Sequence, residues 1–204
     1  RNFKMLKLRM IYTLLAILGF NLKVLANEPV NTVDKNNMKQ GHWIYTNKMK
    51  NLPNYKEEQV VEEGDYSDDM KTGKWFYYFN NDKVKHILTY KNNRPDGLAI
   101  FYYKNGNKRE EGNWKNNKWI GDYKYYYKNG NIRNDWSYNQ TGQRTGVQKY
   151  YYENGQLMIE GSWVSGQEAG TIVEYHEDGS VKSERIYNDG EIDADAIKNF
   201  KPQE

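Results

Sequence analysis

Short runs of alternating apolar and polar residues cover most of the chain, and a period of two is typical of β-strands. Within residues 97–114 (GLAIFYYKNGNKREEGNW), one such run ends at Asn105-Gly106 and a second begins directly after it. An Asn-Gly pair favours the type I′ turn of a β-hairpin, because both central residues of that turn need φ > 0. The pattern therefore predicts a hairpin of two short strands joined by a two-residue turn.

The same hairpin pattern returns in residues 126–138, 151–163 and 175–187. A glycine opens each unit, at Gly41, Gly73, Gly97, Gly121, Gly146 and Gly170. The spacings are 32, 24, 24, 25 and 24 residues, and a fixed period of this length is the signature of a repeat protein. The first spacing is long because residues 46–58 are inserted at the turn. We therefore predict an all-β domain over residues 41–190, an elongated antiparallel sheet of repeated hairpins.

A two-residue turn in each unit fixes which residues face each other across the hairpin. In this register, each opening glycine lies opposite the aromatic residue that closes the unit. The predicted pairs are Gly73–Tyr90, Gly97–Trp114, Gly121–Tyr138, Gly146–Trp163 and Gly170–Tyr187. An aromatic ring can cover the bare backbone of a glycine on the neighbouring strand. We name the sheet face with these pairs face A and expect it to be the core. The opposite face is face B.

Face B carries the residues that we predict to bind a partner. The predicted pairs there each join a tyrosine to a cation or a methionine: Tyr78/Lys85, Tyr102/Arg109, Tyr126/Arg133, Tyr151/Met158 and Tyr175/Lys182. Tyrosine and arginine are enriched in binding hot spots. The candidate binding residues are therefore Tyr78, Tyr102, Arg109, Tyr126, Arg133, Tyr151 and Tyr175. The alternative is that the rings only shield the sheet and stack on the cations.

Catalytic and metal-binding patterns are weak in this sequence. Acidic residues form a column on face B: Glu111, Asp135, Glu160 and Glu184. Lysines lie opposite two of them in the predicted register, so exposed ion pairs account for the column. The histidines are His42, His86 and His176, which lie in different units without metal-ligand spacing. We therefore predict no enzymatic activity, no metal site and no cofactor.

Residues 1–26 have the features of an export signal. Basic residues come first: Lys4, Lys7 and Arg9. An apolar run follows over residues 10–20, shorter than the roughly 20 residues of a membrane span. Small residues then allow cleavage after Ala26. We predict an exported protein, in the periplasm, at the cell surface or secreted, and an uncleaved N-terminal membrane anchor is the alternative.

The segments that flank the repeats are predicted to have simpler roles. Residues 27–40 are interpreted as an N-terminal linker, and residues 191–204 as a C-terminal tail. Within the tail, Ile192, Ala196, Ile197 and Phe200 would share one side of a short helix. We expect this helix to cover the last edge of the sheet.

The charge balance argues against a nucleic-acid partner. The whole chain has a formal net charge of +3. Its first 26 residues hold five basic residues and no acidic one, which leaves 25 basic against 27 acidic residues, a net charge of −2. Nucleic-acid binders usually present a basic surface. The chain has no cysteine, so it forms no disulfide bond.

The repeated pattern G-x-W-x-x-Y-Y-x-N-G-x-x-x-x-E-G-x-Y/W resembles the MORN repeat, most closely its bacterial variant. Residues 97–114 and 146–163 match it best, and the resemblance covers about residues 41–190. It implies an elongated antiparallel sheet with a scaffold or binding role and implies no activity. Bacterial chains of this kind are often labelled antitoxins of a toxin–antitoxin system. The sequence departs from the pattern at Asn81-Asp82, where the turn glycine is missing.

These observations lead to one functional hypothesis with two alternatives. The chain would be an exported, non-enzymatic scaffold that binds another protein, or another surface macromolecule, through one face of its sheet. One alternative is an antitoxin or immunity protein that neutralises a toxin by direct contact. The other is binding to membrane lipids or to a host-cell surface. A protein is the expected partner, with a glycan or a lipid as the alternatives, and no nucleic acid.

Overall fold

The structure is a computed structural model that describes residues 29–201, so the predicted signal over residues 1–26 lies outside the described residues. Fourteen strands form one antiparallel sheet, in which each strand pairs with the next one along the chain. The strands are β1 Thr32–Val33, β2 Lys39–Thr46, β3 Val60–Ser67, β4 Met70–Tyr78, β5 Val84–Lys91, β6 Arg94–Tyr102, β7 Lys108–Lys115, β8 Lys118–Tyr126, β9 Ile132–Tyr138, β10 Gly146–Tyr151, β11 Leu157–Val164, β12 Gln167–Tyr175, β13 Val181–Asn188 and β14 Glu191–Asn199. The helix α1 spans Asn47–Lys50. The all-β repeat architecture is confirmed.

In the five units from Gly73 onwards, the hairpin loop is one residue longer than predicted. Gly106 N donates to Tyr103 O over 2.9 Å, and Tyr103 N donates to Asn107 O over 2.8 Å. Gly106 has φ of 98°, whereas Asn105 is not among the residues with positive φ. This is a type I turn followed by a glycine bulge, which needs φ > 0 only at the glycine. The two-residue turn predicted at Asn105-Gly106 was therefore wrong.

The two-residue turns join the units instead of closing them. Ser67 pairs with Met70 across Asp68-Asp69, whose φ angles are 51° and 62°. Positive φ at both central residues is the mark of a type I′ turn. The same geometry recurs at Asn92-Asn93, Asn116-Asn117, Ser165-Gly166 and Asp189-Gly190. Asparagine and aspartate reach this conformation at low cost, so the turns form even where glycine is absent.

The longer loop shifts the pairing near the loop and leaves the far pairs as predicted. All five predicted glycine–aromatic pairs are present, and Gly41 adds a sixth, opposite Tyr66. Near the loop, however, Tyr102 pairs with Lys108 and Arg109 lies at a bulge. The other tyrosines also change partner, giving Tyr78–Val84, Tyr126–Ile132, Tyr151–Leu157 and Tyr175–Val181. The tyrosine–cation pairs predicted for face B were wrong.

A second glycine in several units, rather than the opening one, is covered by a side chain. A Cβ atom at Gly73 would meet nothing within 4 Å, so the ring of Tyr90 does not cover it. A Cβ atom at Gly64 on β3 would instead overlap the ring of Trp75 on β4. Gly112 lies against Tyr123, and Gly161 against Ile172, in the same way. The covering side chain, an aromatic ring over Gly64 and Gly112 and an isoleucine over Gly161, therefore comes from the next unit and packs adjacent units together.

Face A is the core of this single-layer sheet. Its rings form two series of contacts, from Trp43 to Tyr90 and from Tyr77 to Trp163, with neighbouring centroids no more than 6.4 Å apart. Because a single sheet has no second layer over its core, long cationic side chains cover the rings. Lys71 Nζ lies 3.7 Å from the centroid of Trp75, whose side chain is fully buried. Such contacts combine cation–π attraction with burial of the lysine stem.

The insertion at residues 46–58 supplies a hydrogen bond that the other units make for themselves. In three units, the tyrosine that directly follows the first strand donates a hydrogen bond from its hydroxyl to a main-chain oxygen of the next unit. These bonds are Tyr103 to Tyr126, Tyr127 to Tyr151 and Tyr152 to Tyr175, each 2.8 Å long. The first unit has Asn47 at this position, and Tyr55 from the insertion donates to Tyr78 O over 2.9 Å. Tyr55 of the insertion thus supplies the hydrogen bond between the first two units that Asn47 does not make.

The ends of the repeat domain differ from the sequence prediction. Glu191–Asn199 is a strand, β14, paired with β13, so the helix predicted for the tail was wrong. A type I′ turn at Asp189-Gly190 brings the chain back beside β13. Backbone hydrogen bonds to the free edge of β13 favour a strand more than the spacing of the apolar residues favours a helix. At the other end, residues 27–40, predicted as a linker, contribute β1 and the first residues of β2.

Candidate functional site

In the central row of face B, a short apolar stretch lies between Glu63 and Glu111, and we call it the apolar half. The stretch from Glu111 to Glu160 is called the charged half. On the apolar half, Ile87 lies between Phe76 on one neighbouring strand and Ile100 on the other. Further along the same row, the side chains alternate in sign through Glu111, Lys124, Asp135, Lys149 and Glu160. The halves meet where Ile100 pairs with Glu111. One continuous face therefore presents two different kinds of chemistry.

The charged half is explained by pairing within the sheet. Lys124 Nζ lies 3.5 Å from Asp135 Oδ2, and Lys149 Nζ lies 3.1 Å from Glu160 Oε2. These side chains are at least one-third exposed, and an exposed ion pair contributes at most about 1 kcal/mol. Each carboxylate has a neighbouring cation, so the acidic column behaves as a ladder of surface ion pairs. The contacts support the sequence interpretation of these acids.

The tyrosine row of face B is anchored at some positions and free at others. The Tyr78 hydroxyl donates to Glu63 Oε1, and the Tyr126 hydroxyl donates to Glu111 Oε1. Burial and the adjacent carboxylate both raise the pKa of each tyrosine. At Tyr102, the position equivalent to those glutamates is Ile87, and its hydroxyl makes no hydrogen bond to any described residue. Tyr102 thus brings a free hydroxyl to the apolar half.

Arg109 and Arg133 do not belong to this tyrosine row. The Arg109 guanidinium lies 5.3 Å from the ring centroid of Phe101 and 2.7 Å from Glu110 Oε1. Arg133 lies 5.7 Å from the rings of both Tyr125 and Tyr127. These partners are core residues of face A. The structure therefore separates the two arginines from the five tyrosines with which the sequence analysis grouped them.

A small hollow marks the boundary between the two halves of face B. It has a volume of about 230 Å³ and is lined by Leu98, Glu111, Gly112, Asn113, Asp122 and Lys124. Leu98 is 39% exposed, although it lies in the middle of a strand. The hollow therefore places an exposed leucine beside charged groups. Sequence reasoning missed Leu98, Ile87 and Ile100 because it followed the tyrosine column alone.

Two histidines have strongly perturbed pKa values for opposite reasons. Hydrogen bonds with Asp65 and then Glu63 raise the pKa of His42 to about 9 on face B. Burial, reinforced by Lys85 and Arg109, lowers the pKa of His86 to about 4 on face A. Residues 29–201 contain no group of three or more histidine, cysteine or acidic side chains arranged to hold a metal ion. His42 is thus held by two carboxylates, and His86 packs against the ring of Tyr77.

A comparison with protein-family models decides the relationship that the hairpins suggest. The model described as MORN repeat variant matches residues 71–92, 95–116, 120–140, 144–164 and 169–189, together more than half of the chain. The chain belongs to the MORN repeat variant family. The five matches begin with the unit opened by Gly73 and leave out the unit opened by Gly41, which carries the insertion.

Membership of this family is consistent with a repeat scaffold rather than an enzyme. MORN repeats are a non-catalytic scaffold type associated with binding to proteins or membrane lipids. A comparison with curated proteins finds no match. Among the described residues, no helix is long and apolar enough to cross a bilayer.

Proposed function

We propose that this chain is an exported, non-enzymatic MORN-repeat scaffold that binds another protein through the apolar half of face B. The observation that carries the proposal is the cluster of Phe76, Ile87 and Ile100, bordered by Tyr102 and the exposed Leu98. These apolar side chains occupy the same row in which the later units place paired charges. Two later units form the same strand pairing with Lys124–Asp135 and Lys149–Glu160 in this row, so the hairpin itself does not require apolar side chains there.

Tyr102 is the expected centre of the contact. A tyrosine combines a large apolar ring with a hydroxyl, and such residues dominate the energy of many protein interfaces. Unlike those of Tyr78 and Tyr126, the Tyr102 hydroxyl donates no hydrogen bond to a carboxylate of residues 29–201. A partner that covers the ring and accepts this hydrogen bond would gain both contributions. The other tyrosines of the row, Tyr151 and Tyr175, lie beside the charged half and would contribute less.

The charge pattern next to the cluster favours a protein over a lipid surface. The ladder from Glu111 to Glu160 alternates in sign, so it has no net attraction to a uniformly anionic bilayer. A protein can place opposite charges against Glu111 and Lys124, the ladder residues next to the cluster, and charge complementarity of this kind contributes specificity. Binding to membrane lipids is therefore the weaker hypothesis. The same surface would serve an immunity protein that blocks a toxin by direct contact.

Export is the second component of the proposal, and it is supported by the sequence of residues 1–26. N-terminal sequencing of the protein recovered from envelope and culture fractions tests it. A mature terminus at Asn27 supports free export and disfavours a cytosolic antitoxin. An intact leader that remains with the membrane fraction supports the anchored alternative. Recovery of the intact chain only from the cytosol contradicts export.

Site-specific photo-crosslinking tests the binding face. A benzoyl-phenylalanine at position 102 should crosslink a protein in envelope or culture fractions, whereas the same group at position 151 should not. The captured protein, once purified, should bind the full chain at least tenfold more weakly when Ile87 is replaced by Asp. Unchanged circular dichroism of the variant would show that the sheet is intact.

The control substitution is Lys149→Asp in the charged half, which adds an acidic group at the same row of the sheet. It should leave the affinity within about twofold, because Lys149 lies outside the apolar half. Equal crosslinking at positions 102 and 151, or equal loss of affinity in both variants, would contradict binding through the apolar half. Crosslinks to lipid alone would favour the membrane alternative.

A further inference from the structure

The turns between the first units lock onto one another through a reciprocal exchange of hydrogen bonds. Lys71 N donates to the side-chain Oδ1 of Asn93 over 2.6 Å, and Asn93 N donates back to Lys71 O over 3.1 Å. The preceding unit makes the same exchange between Lys39 and Asp69, with distances of 2.9 and 3.2 Å. The strand residue needs a backbone N–H, and the following turn needs an Asn or Asp side chain.

The third unit breaks this lock because the strand residue is Pro95. Its position, two residues before Gly97, is equivalent to those of Lys39 and Lys71. Proline has no backbone N–H, so it cannot donate to the following turn. Asn117, which would accept that bond, makes none with Pro95 in either direction. A cleft of about 790 Å³ is open at this place, between the turns at Asn92-Asn93 and Asn116-Asn117.

Between the later units, side chains or a backbone hydrogen bond occupy the space that is equivalent to this cleft. At Gly142, the stem of Lys118 lies so close that an added Cβ would be 2.8 Å from it. At Gly190, the side chain of Gln167 takes the same place, 3.1 Å from an added Cβ. Gly166 N donates directly to Arg144 O over 2.8 Å. The cleft at Pro95 is therefore a specific feature of the third unit and not a general property of the repeat.

The cleft is lined by polar groups whose hydrogen-bonding capacity the fold leaves unused. The lining residues are Lys91, Asn92, Asn93, Arg94, Pro95, Asp96, Asn116 and Asn117. Apart from Asn93, none of their side chains makes a hydrogen bond or an ion pair with another residue between 29 and 201. Two cations, one carboxylate and several amides thus converge on one space. Its volume lies within the range of small-molecule sites, roughly 300–1,000 Å³.

We propose that this cleft binds an acidic oligosaccharide. Each asparagine amide has both donors and an acceptor, which suits the hydroxyl groups of a sugar ring. Arg94 and Lys91 would hold a sugar carboxylate, and the Arg94 guanidinium can do so with two parallel hydrogen bonds. Asp96 would accept from hydroxyl groups. This site lies at the turn end of the sheet and does not depend on the protein-binding surface proposed for face B.

Titration calorimetry with the full chain tests the proposal, using trigalacturonic acid and 3′-sialyllactose as probes and galactotriose as the neutral control. At least one acidic probe should bind tenfold or more tightly than galactotriose. Arg94→Gln should weaken that binding at least tenfold, while Lys115→Gln, a matched change outside the cleft, should leave it within twofold. Failure of both acidic probes to bind, or equal binding of the neutral sugar, would overturn the proposal.

A second variant tests the origin of the cleft. Pro95→Ala restores the backbone N–H that Asn117 can accept, so it should close the space and reduce acidic-sugar binding at least tenfold. Its thermal midpoint should not fall, which separates closure from unfolding. Binding that survives both Arg94→Gln and Pro95→Ala would place the sugar elsewhere and overturn the assignment. An acidic tripeptide that binds as tightly as the sugars would also overturn it, in favour of a peptide ligand.

Discussion

Trp75 and Gln148 occupy the same repeat position, two residues after an opening glycine, and both side chains are fully buried. Trp75 fills the space above Gly64, and its indole Nε1 donates to Asp65 O over 3.1 Å. Gln148 donates to Ser137 O over 3.1 Å and accepts from Ser137 N over 3.3 Å. The same repeat position therefore holds a packed ring where β4 follows β3, and a side chain that replaces backbone hydrogen bonds where β10 follows β9.

The difference follows from the turns. Between β3 and β4, the two-residue turn lets the strands pair from Ser67–Met70, directly beside the turn, to Glu62–Tyr77. At the β9–β10 joint, Asn139 N donates to Gln143 O and Gly142 N donates to Asn139 O, which makes the loop one residue longer. Only two residue pairs then join β9 to β10, with an isolated bridge between Tyr138 and Arg144 next to the loop. The Gln148 side chain makes hydrogen bonds to backbone groups that the shortened strand pairing leaves unpaired. One repeat position can therefore hold either an aromatic or a polar side chain within the same fold.

Removing the ring at the first joint should have the largest effect. Trp75→Ala leaves a cavity above Gly64 and removes the ring on which Lys71 lies, so we expect a loss of about 3–5 kcal/mol in the free energy of unfolding. Urea denaturation followed by circular dichroism measures it. Val147→Ala, at an exposed position on the opposite face, is the control and should change stability by less than about 0.5 kcal/mol. Similar losses in the two variants would contradict the role of Trp75.

Removing the polar group at the second joint should have a smaller but more local effect. Gln148→Met keeps the approximate size and deprives Ser137 N–H and Thr145 O of the Gln148 side chain, while Ser137 O keeps only its bond from Thr145 N. An unsatisfied buried group costs about 1–3 kcal/mol, and we expect a total loss in that range. Hydrogen exchange should accelerate at the amide of Ser137. Unchanged exchange there would show that Gln148 acts by packing alone.

A double-mutant cycle measures the packing contact between Gly64 and Trp75. Gly64→Ala would force a methyl group into the ring of Trp75, and overpacking of this kind costs about 1–3 kcal/mol. In a Trp75→Ala background, the same change should cost little, because the ring is gone. The interaction energy of the cycle isolates this contact. The chain already contains the reverse combination, in which Leu88 faces the buried Ala99. Additive losses would contradict the size coupling.

The smallest expected effect is a pH dependence with two limbs. The pKa of His42 is raised to about 9, so its contribution is complete below pH 6.5 and is lost as the pH rises from there towards 9. The pKa of His86 is lowered to about 4, so stability falls as the pH drops from 6.5 towards 4. The contribution of the two groups to stability is therefore greatest near pH 6.5.

Single substitutions separate the two limbs in urea unfolding measured from pH 4 to 9. His42→Gln should flatten the alkaline limb, and His86→Gln should flatten the acidic one. The His42 side chain is 42% exposed, and solvent screening limits its share to roughly 1 kcal/mol or less. A variant that retains both limbs would refute the assignment of that limb to its histidine.

The sequence by itself determined the repeat, its period and its two faces. Alternating residues and spaced glycines predicted the hairpins, and the glycine–aromatic pairs such as Gly97–Trp114 are confirmed because they lie far from the loop. The binding role of the tyrosine row stays a prediction. Its geometry was only partly predictable, since a glycine at the loop fits both a two-residue turn and a longer loop with a bulge. That choice moved Arg109 and Arg133 to the other face.

Only the tertiary structure decided how the units join. The type I′ turns at Asn92-Asn93 and Asn116-Asn117 contain no glycine, so their left-handed residues are visible only in the fold. The tail became a strand because β13 offered an unpaired edge, which no local period records. The cleft at Pro95 was not predictable from the sequence, because only the fold shows that the backbone N–H groups of the equivalent Lys39 and Lys71 donate to the next turn. Each of these features depends on contacts between residues about one repeat apart, which a local sequence pattern does not specify.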